Sequence, residues 1–467
     1  MDIEEKLPSQ PWLVRGTVLL LVVALLAPSA VSALTYDQEE SNLEKGTMEK
    51  AANGTTVISV QGYHFKGQGN NKKPARLVAV GPRGDVKWVH NGSKEGATWF
   101  YDVDPMENGN LLVTSTQRGK TLVYEFDPET KEKVWTQELD IEDTHDVDLI
   151  NGNQLLVANL KNYDEQSKTN NDSIFVYDLE KDEIVWRWYF RSHYERDAGK
   201  GQGKYTSDWT HVNDVEKIGP GKYMADPRNM DEVIVVDRES KEVTMKLGED
   251  GNYDVLRKQH NPDYLESEDG NPTVLVADSH NQRVVEYERE NGKWNQTWSV
   301  GSHETLNWPR DADRLPNGNT LIVDSQNHRV IEVTPKGEVV WEFYSPWLPY
   351  DVERVKYGDE SNGSTMSDVG VTGEYDVTGS ANLEPGGDRI KMSVFLSNTF
   401  AGTPFQEEMQ RFGETWDQAT PFIRPIWMDE YAFIAALLAG LLLVGWVFGE
   451  GVYHRRRIYH GIRKRLA

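Results

Sequence analysis

Two long apolar runs bracket a chain that is otherwise built from short ones. Thr17 to Ala27 and Tyr431 to Phe448 are uncharged and mostly apolar. Between them, apolar residues come in strand-length runs broken by polar turns. The phrase from His145 reads His-Asp-Val-Asp-Leu-Ile-Asn-Gly-Asn-Gln-Leu-Leu-Val-Ala. The phrase from Arg310 reads Arg-Asp-Ala-Asp-Arg-Leu-Pro-Asn-Gly-Asn-Thr-Leu-Ile-Val-Asp, and the one from Tyr101 follows the same course. Asn-Gly between apolar runs is a strong hairpin signal. Looser copies begin at His211 and His260, and a sixth, weaker one at Tyr350. A second marker, a charged turn followed by a β-run with Trp, recurs at Trp88, Trp135, Trp186, Trp298 and Trp341, with Met245 in the equivalent place of the remaining unit. Both markers count six and keep a fixed phase. Four strands per roughly 40–50 residues is a propeller blade. The pattern predicts an all-β, six-bladed β-propeller around a central channel.

Phase then becomes geometry. The innermost strand of a blade crosses the channel from rim to rim, and the second strand returns. The start of the first strand and the turn after the second therefore share a rim. His145, His211 and His260 open the first strands of three consecutive units. Arg228 lies in the turn after the second strand of the middle one, aligned with His280 and Gln326 in Asp-Ser-His-Asn and Asp-Ser-Gln-Asn. Three histidines and an arginine should converge at one mouth. Arg310 and Tyr101 open first strands of further units and are candidate substrate-binding residues at that rim.

Composition changes the picture at the ends and on the surface. The chain has 467 residues and no Cys, so disulfide and thiolate chemistry are excluded. Net charge is −25, which argues against a nucleic-acid partner. Residues 36–430 carry 42 basic and 71 acidic side chains, a net −29 that reads as the solvated surface of a halophilic protein. Arg455, Arg456, Arg457, Arg463, Lys464 and Arg465 follow the C-terminal run. The positive-inside rule places them in the cytoplasm and the region upstream outside the cell. Five sequons, at Asn53, Asn91, Asn171, Asn295 and Asn362, agree with an extracellular glycoprotein. The N-terminal run ends in Pro28-Ser29-Ala30-Val31-Ser32-Ala33, as a signal peptide would, but Asp2, Glu4 and Glu5 precede it; signal peptide and uncleaved anchor both stay open.

The expected organisation is a signal or anchor over 1–35, a linker over 36–59 and the propeller over 60–400. A juxtamembrane segment over 401–430, a transmembrane helix over 431–449 and a basic cytoplasmic tail over 450–467 complete it. Within these, 356–387 reads as a flexible acidic stretch, Arg389–Leu396 as a strand that could complete a blade, and Phe405–Phe412 as a short helix. Gln166–Asp172 and Arg191–Ser207 are insertions, the second long enough to overhang the mouth.

Three chemistries compete for the mouth. Three histidines could bind a metal, but Arg228 would repel a cation there. Trp-ended blades suit quinoprotein propellers, yet no Cys pair or cofactor-and-calcium set is visible. The third needs neither metal nor cofactor: an imidazole attacks an electrophilic sulfur or phosphorus, a guanidinium holds its oxygens, and a second imidazole supplies a proton.

Thr-His-Asp-Val-Asp (144–148), His-Val-Asn-Asp (211–214), Asp-Pro-Arg-Asn (226–229) and Gln-His-Asn-Pro-Asp (259–263) resemble the aryl-sulfate sulfotransferases, six-bladed propellers that move a sulfuryl group between phenols without a nucleotide donor. The likeness covers roughly 60–355 and is closest to a membrane-tethered, haloarchaeal-type member. It implies an aryl sulfate donor, a hydroxyl acceptor and no cofactor. It implies that His260 becomes sulfated, that His211 and Arg228 bind the sulfuryl oxygens with Asn213 assisting, and that His145 is an acid/base or oxygen ligand. The N-terminal β-domain through which bacterial members pair is not evident, so the oligomeric state stays open. Asp-Ser-His-Asn-Gln-Arg-Val-Val-Glu (278–286) and Asp-Ser-Gln-Asn-His-Arg-Val-Ile-Glu (324–332) also resemble NHL-type propellers, which would make the mouth a non-catalytic glycan- or protein-binding surface.

Overall fold

Alternation and Asn-Gly turns produce what they predict. The computed structural model describes residues 10–36, 42–64, 71–92, 96–359, 361–380 and 392–466. The chain divides into two units, one of residues 43–422 and one formed by 1–42 with 423–467.

The larger unit is a six-bladed propeller of antiparallel sheets. Three complete blades, in chain order from the channel outward, are Trp99–Pro105, Leu111–Gln117, Lys120–Asp127 and Glu132–Leu139; Val147–Ile150, Gln154–Asn159, Ser173–Asp178 and Glu183–Tyr189; and Val212–Gly219, Lys222–Pro227, Glu232–Asp237 and Val243–Gly248. The fourth is His260–Glu266, Pro272–Asp278, Arg283–Glu290 and Lys293–Val300, and the fifth Pro309–Arg314, Thr320–Asp324, Arg329–Val333 and Val339–Tyr344. The sixth closes the ring: its inner strand, Pro349–Arg354, pairs with Thr56–Val60, followed outward by Arg76–Val80 and Val86–Asn91.

Middle strands are buried on both faces and are continuous Val, Ile and Leu runs, as in Leu155–Ala158 and Val274–Ala277. Each such side chain contributes about 1.5–3 kcal/mol by leaving water. Outer strands are half exposed and alternate, as Glu132–Leu139 does. Their tryptophans staple neighbouring blades: Trp186 Nε1 donates to the Arg238 carbonyl at 2.9 Å and Trp298 Nε1 to the Pro335 carbonyl at 2.8 Å.

The repeated Asp of the inner strand has a structural cause. An innermost strand is a sheet edge whose outward N–H groups need acceptors. Carboxylates of the preceding blade supply them: Asp146 to Val215 N at 2.5 Å, Glu216 to Tyr264 N at 3.1 Å, Asp311 to Val352 N at 3.1 Å and Asp351 to Val103 N at 3.0 Å.

Four stretches differ from the sequence expectation. The 36–59 linker holds Glu44–Met48, which extends the fifth blade, and the buried Thr56–Val60. Ring closure requires this, since the last inner strand needs outer partners from the other end of the chain. The stretch from 356 is ordered on the propeller where it is described. Met366–Val369 is a helical turn capped by Thr365, Met366 is buried, and Gly373–Tyr375 runs parallel to Lys293–Val300. Its part at 360 and 381–387 lies outside the described residues. Arg389–Leu396 is not a strand: residues 389–391 lie outside the described residues, and Met392–Thr399 is a helix. The blade position it would have filled belongs to Thr56–Val60. Phe405–Phe412 is part of a longer helix, Gln406–Ile423.

The smaller unit contains two helices, Gln10–Thr35 and Glu430–Leu466, each with a span long and apolar enough to cross a membrane. They run antiparallel. Arg15 forks onto both oxygens of Glu450 at 2.8 Å, and Ser32 bonds Asp429 at the other end. The acidic start of the chain, Asp2 to Glu5, lies outside the described residues, as do the side chains of the last basic residues.

Candidate active site at the channel mouth

The first residues of the inner strands form a ring of aromatic and basic side chains. Tyr101 stacks on His145 with ring centroids 4.0 Å apart, and His145 lies 5.1 Å from His211. Tyr350 closes the circle, 4.9 Å from Tyr101, 5.6 Å from His145 and 6.1 Å from His260. The Arg310 guanidinium lies between the Trp308 and Tyr350 rings, 4.5 and 4.9 Å from their centroids. The chain enters these strands through strained backbone. Asp143, Lys258, Trp308 and Leu348, each two residues before a mouth residue, are left-handed, as are His211 and Asn261. Non-glycine residues accept that conformation at a cost of order 1–3 kcal/mol each.

Every imidazole is pinned through Nδ1. The partners are the Asp143 carbonyl at 2.7 Å for His145, and both Asp208 oxygens at 2.7 and 2.8 Å for His211. For His260 they are the Ser279 hydroxyl at 2.7 Å and the Lys258 carbonyl at 3.1 Å. Burial pushes the His145 imidazole down to about 4, with Lys161 and Arg228 adding to it against Asp143. Burial, then Arg228, holds His211 and His260 well below the ordinary histidine range; Arg310 adds to the effect at His260. The three rings are therefore neutral near pH 7. Burial also keeps the Tyr350 phenol protonated, and its hydroxyl has no partner.

Arg228 and Arg310 bring guanidiniums to the mouth. Arg228 donates only to Asn229 Oδ1 at 3.3 Å, and Arg310 to Gln61 Oε1 at 2.7 Å. In each, Nε is buried without a partner. Among the described residues, no carboxylate forms an ion pair with either. A buried cation left so is costly unless an anion arrives to complete it.

The sequence model of the arylsulfotransferase (ASST) family matches residues 40–311. The chain belongs to the arylsulfotransferase family. No curated protein matches it. Solved structures similar to it include a protein of unknown function from Bacteroides caccae, at 11% identity and TM-score 0.43, covering 64% of this chain and 98% of that one. Another is a catalytically inactive virginiamycin B lyase from Staphylococcus aureus with quinupristin, at 8% identity and TM-score 0.38, covering 66% and 88%. These likenesses say nothing about the site.

Within this member of the arylsulfotransferase family, the ring of mouth residues brings together His145, His211, His260, Arg310 and Tyr101 from the sequence reading. Arg228 belongs with them through its charge, which bears on all three histidines. Its alignment shifts by one residue. Arg228 opens the turn Arg228–Met230 as Ser279 opens Ser279–Asn281 and Ser325 opens Ser325–Asn327, so its equivalents are these serines and not His280 and Gln326. An extra residue, Pro227, precedes the turn. Asn213 is buried, donating to the Gln259 carbonyl at 3.2 Å, with Oδ1 unpartnered. The NHL-like phrases are these same turns, braced by Arg283 on Asp278 and Arg329 on Asp324.

Sequence reasoning missed Tyr350, Trp308, Asp143, Lys161 and Asp208 as mouth residues. Asp143 accepts from the Tyr101 hydroxyl at 2.7 Å and pairs with Lys161. Tyr350 was visible as the start of the sixth copy. Asp208 stands three residues before His211 at the end of the 191–207 insertion. That insertion packs on the mouth side of the third blade: Gln202 bonds Asp231 at 2.5 Å, and Trp209 Nε1 donates to the Ala198 carbonyl at 3.1 Å.

The channel behind the mouth is acidic. A cavity there is lined by Asp102, Asp104, Asp146, Asp148, Asp263 and Asp313 among others. Part of the charge read as solvated surface is therefore interior. Burial pushes Asp102 up to about 6, Asp263 to about 7 and Asp359 to about 8, with neighbouring carboxylates adding to the effect at Asp359.

Proposed function

We propose that the mouth transfers a sulfuryl group from an aryl sulfate to a phenolic or other hydroxyl acceptor through a sulfohistidine at His260. The observation that carries this reading is a pair of buried guanidiniums with no carboxylate partner, set among three neutral imidazoles. A sulfuryl group brings the oxyanions such a site lacks, and a neutral imidazole is the nucleophile its sulfur needs.

His260 is suited to attack because Ser279 and Lys258 hold Nδ1, leaving Nε2 as the lone-pair nitrogen. The Nε2–S bond forms as the S–O(aryl) bond breaks and its electron pair leaves with the aryl oxygen. Arg228 and His211 hold sulfuryl oxygens, Asn213 assists, and His145 serves as acid/base or oxygen ligand. Arg310 and Tyr101 bind substrate beside the aromatic wall of Trp308 and Tyr350. The acceptor oxygen then attacks sulfur and returns His260 to its starting state.

The propeller is proposed to lie outside the cell, anchored by the apolar helices, with the C-terminus in the cytoplasm. Protease added to intact cells should digest the propeller and spare a C-terminal tag. The test of function is intact-mass measurement after incubation with a simple aryl sulfate. One added sulfuryl group, localised to His260, is expected; an unmodified chain that turns over no sulfate ester overturns the reading.

A further inference from the structure

The three mouth imidazoles differ in what holds Nδ1. His145 is held by a backbone carbonyl, and His260 by a carbonyl and a hydroxyl. His211 is held by a carboxylate, with both oxygens of Asp208 within 2.8 Å. A carboxylate can only accept, so His211 Nδ1 carries a proton and Nε2 is a lone pair while the ring is neutral. In that form His211 repels a sulfuryl oxygen. It can donate to one only with a second proton on Nε2, and that imidazolium would stand close to the charge of Arg228. The free ring is neutral; its second proton enters with the sulfate anion, and Asp208 is the counter-ion that makes the imidazolium tolerable.

The aspartate is placed to do this. Its backbone carbonyl accepts from Lys204 N at 3.0 Å and from the amide of Asn229, the neighbour of Arg228, at 3.1 Å. The end of the insertion is thus tied to the turn that carries the arginine. The carboxylate remains 38% exposed, so water supports its charge. His145 has no such partner on its ring, since Asp143 spends its carboxylate on Tyr101 and Lys161.

We propose that Asp208 is a positioning residue that locks the His211 tautomer and makes His211 the carrier of the proton exchanged between leaving phenol and incoming hydroxyl. This rests on the sulfuryl-transfer reading of the mouth. In the first half-reaction the aryl oxygen, leaving with the S–O electron pair, takes the proton from His211 Nε2. In the second, the acceptor O–S bond forms and the N–S bond breaks, its pair returning to His260. The acceptor's hydroxyl proton passes to His211 Nε2, which restores the imidazolium of the donor complex.

The test uses the full-length chain in detergent, with Asp208→Asn, Asp208→Glu and His145→Ala, each given 4-nitrophenyl sulfate and phenyl sulfate. Nitrophenolate departs without a proton and phenolate does not. Asp208→Asn should lower phenyl sulfate turnover on the order of 10²-fold, a general-acid effect, with a much smaller loss for nitrophenyl sulfate and little change in donor KM. Asp208→Glu, which keeps the carboxylate, should recover most of the difference. Asn preserves the backbone contacts, and equal melting temperatures would show the variants fold. Equal losses with both donors, or none, would overturn the proposal. So would the leaving-group selectivity appearing in His145→Ala and not in Asp208→Asn. A wild-type chain that forms no sulfuryl adduct overturns the reading of the mouth and this inference with it, whereas an intact adduct with an indifferent Asp208 overturns this inference alone.

Discussion

On the inner strands, the residue at the mouth and the carboxylates just behind it differ by one to three positions, yet their surroundings are electrostatic opposites. At the rim, Arg228 and Arg310 are buried with no carboxylate to pair with. In the channel, Asp146, Asp311 and Asp351 lie among further carboxylates. The channel carboxylates have partners inside the fold, because they accept from the edge N–H groups of the next blade. Their cost is offset by the structure itself. The mouth guanidiniums have no ion-pair partner among the described residues, and in the proposed reading a substrate oxyanion supplies it. The acidic ring serves the fold, and the basic rim is proposed to serve a ligand.

The sharpest way to break this comparison is to remove the proposed nucleophile. His260→Ala should abolish both the adduct and the first-turnover burst of phenol, since it removes the nitrogen that takes the sulfuryl group. Rapid-quench kinetics measures the burst, and transfer at the parent rate would eliminate the assignment. A smaller effect is expected from the cation. Arg228→Ala should leave the adduct detectable while lowering turnover by about 10²–10³, by analogy with deletion of one oxyanion donor. Steady-state assays with one aryl sulfate suffice, and an unchanged rate would separate the unpaired charge from catalysis.

The channel should reveal itself in stability instead. Asp102, Asp263 and Asp359 stand at about 6, 7 and 8, against ~3.9 for an unfolded aspartate. Between those values the folded chain binds more protons than the unfolded one, so stability falls as pH rises from about 4 through 8. The mouth works the other way. His145 stands at about 4 against ~6.5 unfolded, so its contribution is complete above 6.5 and is lost as pH falls toward 4. Three carboxylates outweigh one imidazole between about pH 4 and 6 and act alone above 6.5, so the melting temperature of the full chain should fall from about pH 4 through pH 8. A maximum at pH 8 or above would mean the channel carboxylates are compensated by something other than protons.

The same contrast explains what could be read from the sequence. Blade count and mouth membership were legible because propeller geometry converts a fixed phase into a fixed rim, and His145, His211 and His260 hold that phase. Ring closure was not: Thr56–Val60 pairs with Pro349–Arg354 almost three hundred residues later, and no local pattern announces such a partner. The exact register of Arg228 was lost to one extra residue, Pro227, in an otherwise repeated turn. Asp208 was hidden because it sits outside the repeat and reaches the mouth only through tertiary packing, whereas Lys161 stands in the turn after a second strand and could have been read by the same phase as Arg228. The acidity of the middle region was read as surface because composition carries no burial; the periodic Asp after each mouth residue was the signal that some of it faces inward.

The smallest effect tests whether those aspartates serve the backbone or their charge. Asp351 accepts from Val103 N at 3.0 Å, and burial, then Asp311 and Asp102, pushes its carboxyl well up. In Asp351→Asn the amide oxygen can still accept that hydrogen bond, while one member of a like-charge cluster disappears. The lost charge assistance and the relieved repulsion oppose each other, so the change should stay within about 1 kcal/mol at pH 6. At pH 8, where repulsion is fuller, the variant should become the more stable of the two. Asp351→Ala removes the acceptor as well and strands Val103 N–H at a buried edge, at a cost of about 1–3 kcal/mol. Urea denaturation of wild type and both variants at the two pH values resolves the question. If Asn and Ala are equally destabilising, the carboxylate charge is what the inner strand needs, and the division between a folding channel and a ligand-binding rim fails at this position.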